Sequence, residues 1–200
     1  MIHEVCVSKE GEKVVIPIPE GYKDCYTLFK SDFYRMTGIM SGSFFSMYYA
    51  IPYNFWLRFC QYDGAFLTLF KICRRFLSHR YGLQILAKKI GYGLYIGHYC
   101  GTIVSPHAII GNNVNLSQFS TIGAVKGKAA FIGDNVYIGP SVCVVGEVNI
   151  GSNSTIGAGA VVTKDVQPST TVVGVPAKFL CKSTNEEYIV NKWKVPCEDY

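Results

Sequence analysis

Charge is scarce in this chain of 200 residues: Asp and Glu together number 14, Lys and Arg 19, and charged positions make up 16%. No block of five like charges occurs, so the electrostatic footprint of a nucleic-acid binder is missing and no nucleic-acid partner is expected. The net charge of +5 is spread along the chain, as a few lysines beside an anionic ligand would give. None of the eight cysteines, at 6, 25, 60, 73, 100, 143, 181 and 197, forms a CxxC pair. Their spacings suit neither a zinc site nor a disulfide framework, and they read as free thiols of a reducing cytosol used as small apolar residues. A leader is also missing, since Met1–Glu12 mixes charges and has no apolar core. The expected location is cytoplasmic. Thr37–Leu57 lacks any charge, but Gly38, Gly42, Pro52, Asn54 and three serines make it a poor membrane-spanning helix. Its aromatics, such as Phe44, Phe45, Phe55 and Trp56, are better suited to packing helices together or covering a subunit interface, and membrane contact is not expected.

What is present is apolar: 49% of positions are hydrophobic, enough for a sizeable core. The chain divides into residues 1–82, an irregular arm followed by helices; 83–178, a repeat; and 179–200, a tail that Trp193 is expected to dock. Tyr26, Phe29, Phe33 and Met36 recur at helical spacing over Asp24–Met36. Asn54–Cys60 and Ala65–Ser78 continue the pattern. In the last of these Phe66, Leu69, Phe70, Cys73, Phe76 and Leu77 form a stripe, closed by Arg74, Arg75, His79 and Arg80 at the negative end of the helix dipole.

After Gly82 a period of six replaces the helical one. Ile132, Ile138, Val144, Ile150, Ile156 and Val162 follow without a break, each trailed four residues later by a small or β-branched residue: Val136, Val142, Val148, Ser154, Ala160 and Val166. An earlier phase carries Val104, Ile110, Leu116 and Ile122, preceded by Ile90 and Ile96. Such a repeat describes a triangular parallel β-helix. One strand and one corner take six residues, the aliphatic residue fills a narrow interior, and coils are stable only when stacked. Glycine after the aliphatic position is expected to supply unusual corner angles.

The period slips twice, by two residues between 96 and 104 and by four between 122 and 132. Insertions into a rigid repeat usually carry function. The first contains His98-Tyr99-Cys100-Gly101, the second Gly123–Ala130 with Lys126 and Lys128. Histidine titrates near neutral pH, so His98 is either a base that takes a proton from a hydroxyl or a solvated corner residue. Cys100 is either a nucleophile or the small corner residue of the Ile96 unit, the latter being the simpler reading. His107 reads as a turn residue, and His3 and His79 have no informative setting. A metal site needs about three convergent ligands, and none is expected. Lys126, Lys128, Lys164 and Lys178 are either surface lysines or partners for phosphates.

Residues 84–178 resemble the serine acetyltransferase branch of the hexapeptide-repeat acyltransferases. The resemblance rests on Ile96-Gly97-His98-Tyr99-Cys100-Gly101-Thr102-Ile103-Val104, Ile110-Gly111-Asn112-Asn113, Gln118 to Gly123, Ile156-Gly157-Ala158-Gly159-Ala160-Val161-Val162 and Gly174-Val175-Pro176-Ala177-Lys178. Leu28–Arg35 is similar to bacterial serine or polysaccharide acetyltransferases. The resemblance implies a mainly β fold, a left-handed parallel β-helix with an N-terminal α-helical region. It also implies an acetyl-CoA-dependent O-acetyltransferase with His98 as catalytic base. Pro140, Ala158, Thr163 and Lys164 would line the groove for the pantetheine arm, and Lys178 would meet the nucleotide phosphates. A homotrimer, or a dimer of trimers, is implied, with the site between two β-helices.

Three positions differ from authentic serine acetyltransferases. Gly97 stands where an aspartate precedes the base, Leu83 where another acid lies a coil earlier, and Ala124–Ala130 lacks a substrate-contacting histidine. Those groups orient the base and hold an amino acid. The acceptor hydroxyl therefore belongs to L-serine or to a sugar of a surface glycan. A xenobiotic acetyltransferase is the weaker enzymatic alternative, and a non-catalytic β-helix scaffold is the competing class, with a zinc hydratase below it.

Overall fold

In the computed structural model, which describes residues 1–40, 42–182 and 185–196, the six-residue period becomes a β-solenoid of about five coils. Three parallel sheets form the walls of the prism. The first stacks Ile85, Val104, Ile122, Val144 and Val162 in register. The second stacks Ile90, Ile110, Ile132 and Ile150, with Val166 bridged to Ile150. The third stacks Ile96, Leu116, Ile138, Ile156 and Val172 and is edged by an antiparallel strand, Lys178–Lys182. These aliphatic residues point inward and are nearly all fully buried. At about 1.5–3 kcal/mol for each buried side chain, the interior column is the main stabilising term of the repeat.

Both insertions are absorbed at corners, so the prism is continuous although the sequence phase breaks twice. The two extra residues widen the corner between Ile96 and Val104. The four extra residues form a small hairpin in which Val125 bridges Lys128. The corner residues at the two insertions shift accordingly. Thr102, fully buried and bonded to Ser117 O at 3.2 Å, takes the inward slot expected for Cys100, which is exposed. At the second insertion, counting four residues on from Ile122 gives Lys126, but the buried Ala130 fills the slot before Ile132 and Lys126 is exposed.

The expected role of the repeat glycines also changes. Gly111, Gly133 and Gly139 do not adopt left-handed angles; that conformation falls to Asn113, Asn135 and Asn153 at the corners, where short polar side chains tolerate it. The glycines are needed for space. A Cβ on Gly111 would sit 2.6 Å from Gly133 C and O, and one on Gly139 would sit 2.7 Å from Ile156 O. Neighbouring corners are further tied by side chains that accept from the backbone of the coil before: Tyr92 N to Asn112, Asn112 N to Asp134, and Asp134 N to Ser152.

The expected irregular arm is a β-hairpin. β1 (Ile2–Val7) and β2 (Lys13–Ile18) pair antiparallel about a turn at Gly11. Its reason is burial: Cys6, Val14 and Ile16 alternate inward onto Phe131 and Ile109 outside the second sheet. Glu12 then accepts from Ser152 N at 2.6 Å.

Four helices follow: α1 (Tyr22–Thr37), α2 (Phe44–Ala50), α3 (Pro52–Phe59) and α4 (Leu67–Tyr81). Gly38, at φ 72, ends α1 with its N–H on Tyr34 O, and Pro52 opens α3 where no backbone donor is needed. The stripe expected on α4 is divided. Phe70, Cys73 and Leu77 are half-buried, whereas Phe66, Leu69 and Phe76 are exposed, because the stripe is wider than its α3 neighbour can cover. Among the described residues, no helix is long and apolar enough to cross a membrane.

A buried polar network clamps the helices onto the first coil. Arg58 of α3 donates to both carboxylate oxygens of Asp32 of α1, at 2.8 and 2.7 Å, and to Ile90 O and Gly91 O. Asp32 also accepts from Asn54 Nδ2 and Leu94 N. Every partner in this network is satisfied, as a buried ion pair requires.

Candidate functional site

The corner between the third and first sheets carries the chain's candidate chemistry. Ile96 faces inward and ends its strand, so the following residues must turn outward, and His98 stands exposed on the widened corner. Cys100 N bonds back to His98 O at 2.8 Å, tightening the turn. Tyr99 points the other way, into the helices: its hydroxyl donates to Asn54 Oδ1 at 2.8 Å, and burial pushes its pKa up. The residue after His98 is therefore anchored by the same network that clamps α1 and α3.

Successive coils repeat this corner and stack it into an edge. Phe119 N donates to Cys100 O, Ser141 N to Gln118 O, Gly159 N to Pro140 O, and Val161 N to Gly174 O. The edge thus runs from His98 past Gln118, Pro140 and Ala158 to Gly174. At roughly 4.8 Å per coil its length is about 19 Å. Pro140, Ser141, Ala158 and Gly159 keep its middle shallow, while Gln118 and the exposed Phe119 stand out on the coil next to His98; a Cβ on Gly159 would meet nothing within 4 Å.

Beside His98 lies a pocket of about 410 Å³. Its floor is the outward face of the third sheet, where Tyr95, Asn115 and Tyr137 stand in register. Gln118 and Pro140 form the side toward the edge. Arg35 reaches it from α1, and the tail closes it with Glu187, Tyr188 and Val190. The tail is held by specific bonds: Asn185 Nδ2 to Ser154 O, Asn115 Nδ2 to Tyr188 O, and Trp193 N to Asn113 Oδ1. Tyr188 stacks on Tyr137 at 4.5 Å, and Trp193 sets its ring edge-on to Tyr34.

Of the residues singled out from sequence, Pro140 shares the pocket with His98, and Ala158 follows on the next coil of the edge. Thr163, Lys164 and Lys178 are exposed at the far end of the prism, outside the His98 pocket. There Lys164 lines a cavity of about 400 Å³ with Phe179 and Lys182. Lys128 is drawn away into an ion pair with Glu147 at 3.0 Å. His107 and His79 are exposed on other parts of the surface, and His3 bonds the Tyr92 hydroxyl at 3.0 Å. Among the described residues, no three His, Cys, Asp or Glu side chains group as metal ligands.

Two parts of the site were not found in the sequence. The tail contributes Glu187 and Tyr188, and α1 contributes Arg35. Arg35 is fully buried, an uncommon state for arginine, yet an arginine on a helical repeat looks like any surface cation until its surroundings are known. No Asp or Glu occurs between Asp63 and Asp134, so the β-helix offers His98 no acidic partner from its own or the neighbouring coil.

Comparison with known proteins follows the same geometry. A family model described as bacterial transferase hexapeptide (six repeats) matches residues 129–164. Serine acetyltransferase 3, mitochondrial, of Arabidopsis thaliana is 41% identical over 96 residues, 46% of this chain and 25% of its own length. This chain spans about a quarter to a half of the curated relatives it matches. The solved serine acetyltransferase of Neisseria gonorrhoeae, in complex with serine, is 30% identical with a TM-score of 0.65, covering 80% of this chain and 70% of that one. A serine acetyltransferase in complex with CoA, at 21% identity and a TM-score of 0.64, has the same fold over 79% of this chain and 70% of its own. With that match across most of both chains, this protein belongs to the hexapeptide-repeat acyltransferases, in their serine acetyltransferase-like branch.

Proposed function

We propose that this protein is an acetyl-CoA-dependent O-acetyltransferase that moves an acetyl group to the hydroxyl of a small acceptor, L-serine or a sugar. The observation that carries the reading is the position of His98. It is an exposed imidazole at the head of the stacked edge and at the rim of an open pocket. The pocket takes the acceptor, and the edge takes the extended arm of the cosubstrate.

His98 accepts the acceptor's hydroxyl proton as the oxygen attacks the acetyl carbonyl, and then returns that proton to the departing sulfur. Such general-base assistance contributes about 10²–10⁴-fold. Acetyl-CoA supplies the activated acetyl thioester. The residues present suit it: Pro140 and Ala158 leave the edge shallow, Gly159 leaves it open, and Lys178 adds a cation just past its Gly174 end for the nucleotide, while Thr163 and Lys164 stand at the neighbouring corner of the same end of the prism. The track of about 19 Å separates the two ends, as a long flexible arm requires.

We assign the working unit as a cytoplasmic homotrimer, with the open side of the edge covered by a neighbouring copy; a dimer of trimers would further cover the exposed Phe66, Leu69 and Phe76 of α4. Sedimentation velocity at several concentrations tests this.

A sugar acceptor is the second reading. It is favoured by three tyrosines, Tyr95, Tyr137 and Tyr188, around a pocket of about 410 Å³, because aromatic faces suit pyranose rings. Thiol release from acetyl-CoA, followed across L-serine, neutral and acidic sugars and glycan fragments, tests both readings. Turnover with at least one acceptor, lost in His98→Ala with folding intact, is expected. Full activity of that variant with every acceptor would remove His98 from its role, and no turnover with any of them would favour a scaffold.

A further inference from the structure

We propose that α4 docks on an anionic phospholipid surface, with its exposed apolar stripe set into the acyl boundary and its flanking cations on the headgroup phosphates. This goes beyond the transferase reading and does not depend on it.

α4 turns only one face to the protein. Phe70 meets Phe59 and Trp56 of α3, and Leu77 and Tyr81 pack against the main core. On the other side Leu69, Ile72 and Phe76 recur at spacings of three and four and are exposed, Ile72 at 61% and Phe76 at 71%. The exposed Phe66 extends this stripe toward the start of the helix. Large apolar side chains in an exposed row mark a surface that something covers. The polar positions of the same face are Thr68, Lys71, Arg75, His79 and Arg80. At about 100° per residue, Arg75 and His79 fall on one flank of the stripe and Arg80 beside it on the other. No Asp or Glu occurs on α4 or anywhere between Asp63 and Asp134. Lys71, Arg74, Arg75 and Arg80 form no ion pair among the described residues.

Beside the stripe the cations are gathered rather than scattered. Lys71, Arg74, Arg75 and His79 line a cavity of about 420 Å³ between α4 and the first sheet, with Gln84 and Ile103 on its far wall. Arg74 is fixed there by donating to Ile85 O at 3.2 Å. A cationic cavity without counter-charge suits phosphate oxygens, and the stripe alongside it suits hydrocarbon. A lipid surface presents the two together, headgroup phosphates above acyl chains. α4 has 15 residues, about 22 Å, and lies in the headgroup plane rather than across the bilayer, in keeping with the absence of a spanning helix among the described residues. A soluble anion would fill the cavity and leave the stripe in water. A second copy, as in a dimer of trimers, would bury the stripe, but two α4 faces meeting about a two-fold axis would set the same unpaired cations against each other. An anionic lipid surface satisfies both halves of the face.

The test is co-sedimentation of the whole protein with vesicles of phosphatidylcholine alone and of phosphatidylcholine mixed with phosphatidylglycerol. Binding to the mixed vesicles should exceed binding to the neutral ones by at least about tenfold and should weaken with added salt. Each cation near such a surface is worth about fivefold, so Lys71→Ala with Arg75→Ala should weaken binding by about 25-fold. Ile72→Ser with Phe76→Ser should weaken it by about tenfold or more at an unchanged melting temperature, since both side chains are exposed. Where either pair of substitutions lowers the melting temperature, Arg80→Ala alone should still cost about fivefold. Inorganic phosphate, added at constant ionic strength, should not release the protein. Equal binding to both kinds of vesicle, or to neither, overturns the proposal. So does a folded variant of either pair that binds like the wild type, which would make the surviving half of the face idle. Release by inorganic phosphate would assign the cavity to a soluble anion instead. A smaller particle for Ile72→Ser with Phe76→Ser in sedimentation velocity would assign the stripe to a second copy, and either result overturns the lipid surface as its occupant.

Discussion

The Tyr99 hydroxyl donates to Asn54 Oδ1 across 2.8 Å, and the Nδ2 of the same asparagine donates to Asp32 Oδ2 at 3.0 Å. The residue beside His98 is thus fastened to a charge pair within the helices, and the corner that carries the candidate base cannot move independently of them. Tyr99→Phe would keep the ring packing and remove one donor. Leaving Asn54 Oδ1 unsatisfied should cost about 1–3 kcal/mol, read as a lower urea midpoint. Turnover should fall further than stability, because His98 loses its anchor while the fold persists. Unchanged turnover in a variant with a lowered midpoint would separate the network from the site.

The pair behind that network should dominate the stability of the helical region. Asp32 and Arg58 are both fully inaccessible and lie 2.7 Å apart. Asp32→Asn keeps the size and strands a buried guanidinium, which should cost about 3–5 kcal/mol. Replacing Arg58 alone by Met should cost a similar amount by leaving the carboxylate unpaired. The double replacement Asp32→Leu with Arg58→Met should recover much of the loss. A double-mutant cycle in urea measures this, and additive losses would mean that the two residues act separately.

The glycines of the repeat give a sharper contrast. Gly111→Ala places a methyl 2.6 Å from the backbone of Gly133, which has no room to retreat between stacked coils. Gly97→Ala meets only the Tyr95 ring at 3.3 Å and Leu116 O at 3.9 Å. The first should lower the melting temperature by many degrees or prevent folding, and the second should be nearly neutral. Equal effects at both sites would show that these glycines serve backbone angles after all.

The β-helix was legible because its physics is local and repetitive. Every sixth residue must fill one interior of fixed width, so Ile132 to Val162 announce themselves without any tertiary information. His98 was legible as an interruption of that rule. The N-terminal hairpin was harder to see, since Val14 and Ile16 alternate over too few residues to stand apart from an irregular arm, and their partners, Ile109 and Phe131, lie far along the chain. Arg35 and Glu187 were invisible for the same reason. Their role comes from a pocket assembled by a helix before the repeat and a tail after it. Cys100 was misplaced because counting from Ile96 ignores the two inserted residues, whereas counting back from Val104 gives Thr102.

The cysteines offer a test of the fold that needs no substrate. Among the described residues all are free thiols, with Cys6, Cys25 and Cys60 buried and Cys100 and Cys181 exposed; Cys197 lies outside the described residues. Burial raises the thiols of Cys6 and Cys60 and pushes Cys25 from 9.0 up to about 12. Because the thiolate is the reactive form, iodoacetamide at pH 8 should modify Cys100 and Cys181 in the native protein and spare the three buried residues until denaturant is added. Peptide mapping by mass spectrometry reads each site separately. The same shift fixes a sign for alkaline stability. Between pH 9.0 and about 12 the unfolded chain ionises Cys25 while the fold keeps it neutral, so this thiol's contribution is intact below pH 9.0 and is lost as pH rises through that window. Cys25→Ala should flatten that part of the alkaline unfolding curve, at the expense of a small cavity. Native modification of Cys25 at pH 8 would contradict its burial on the inner face of α1.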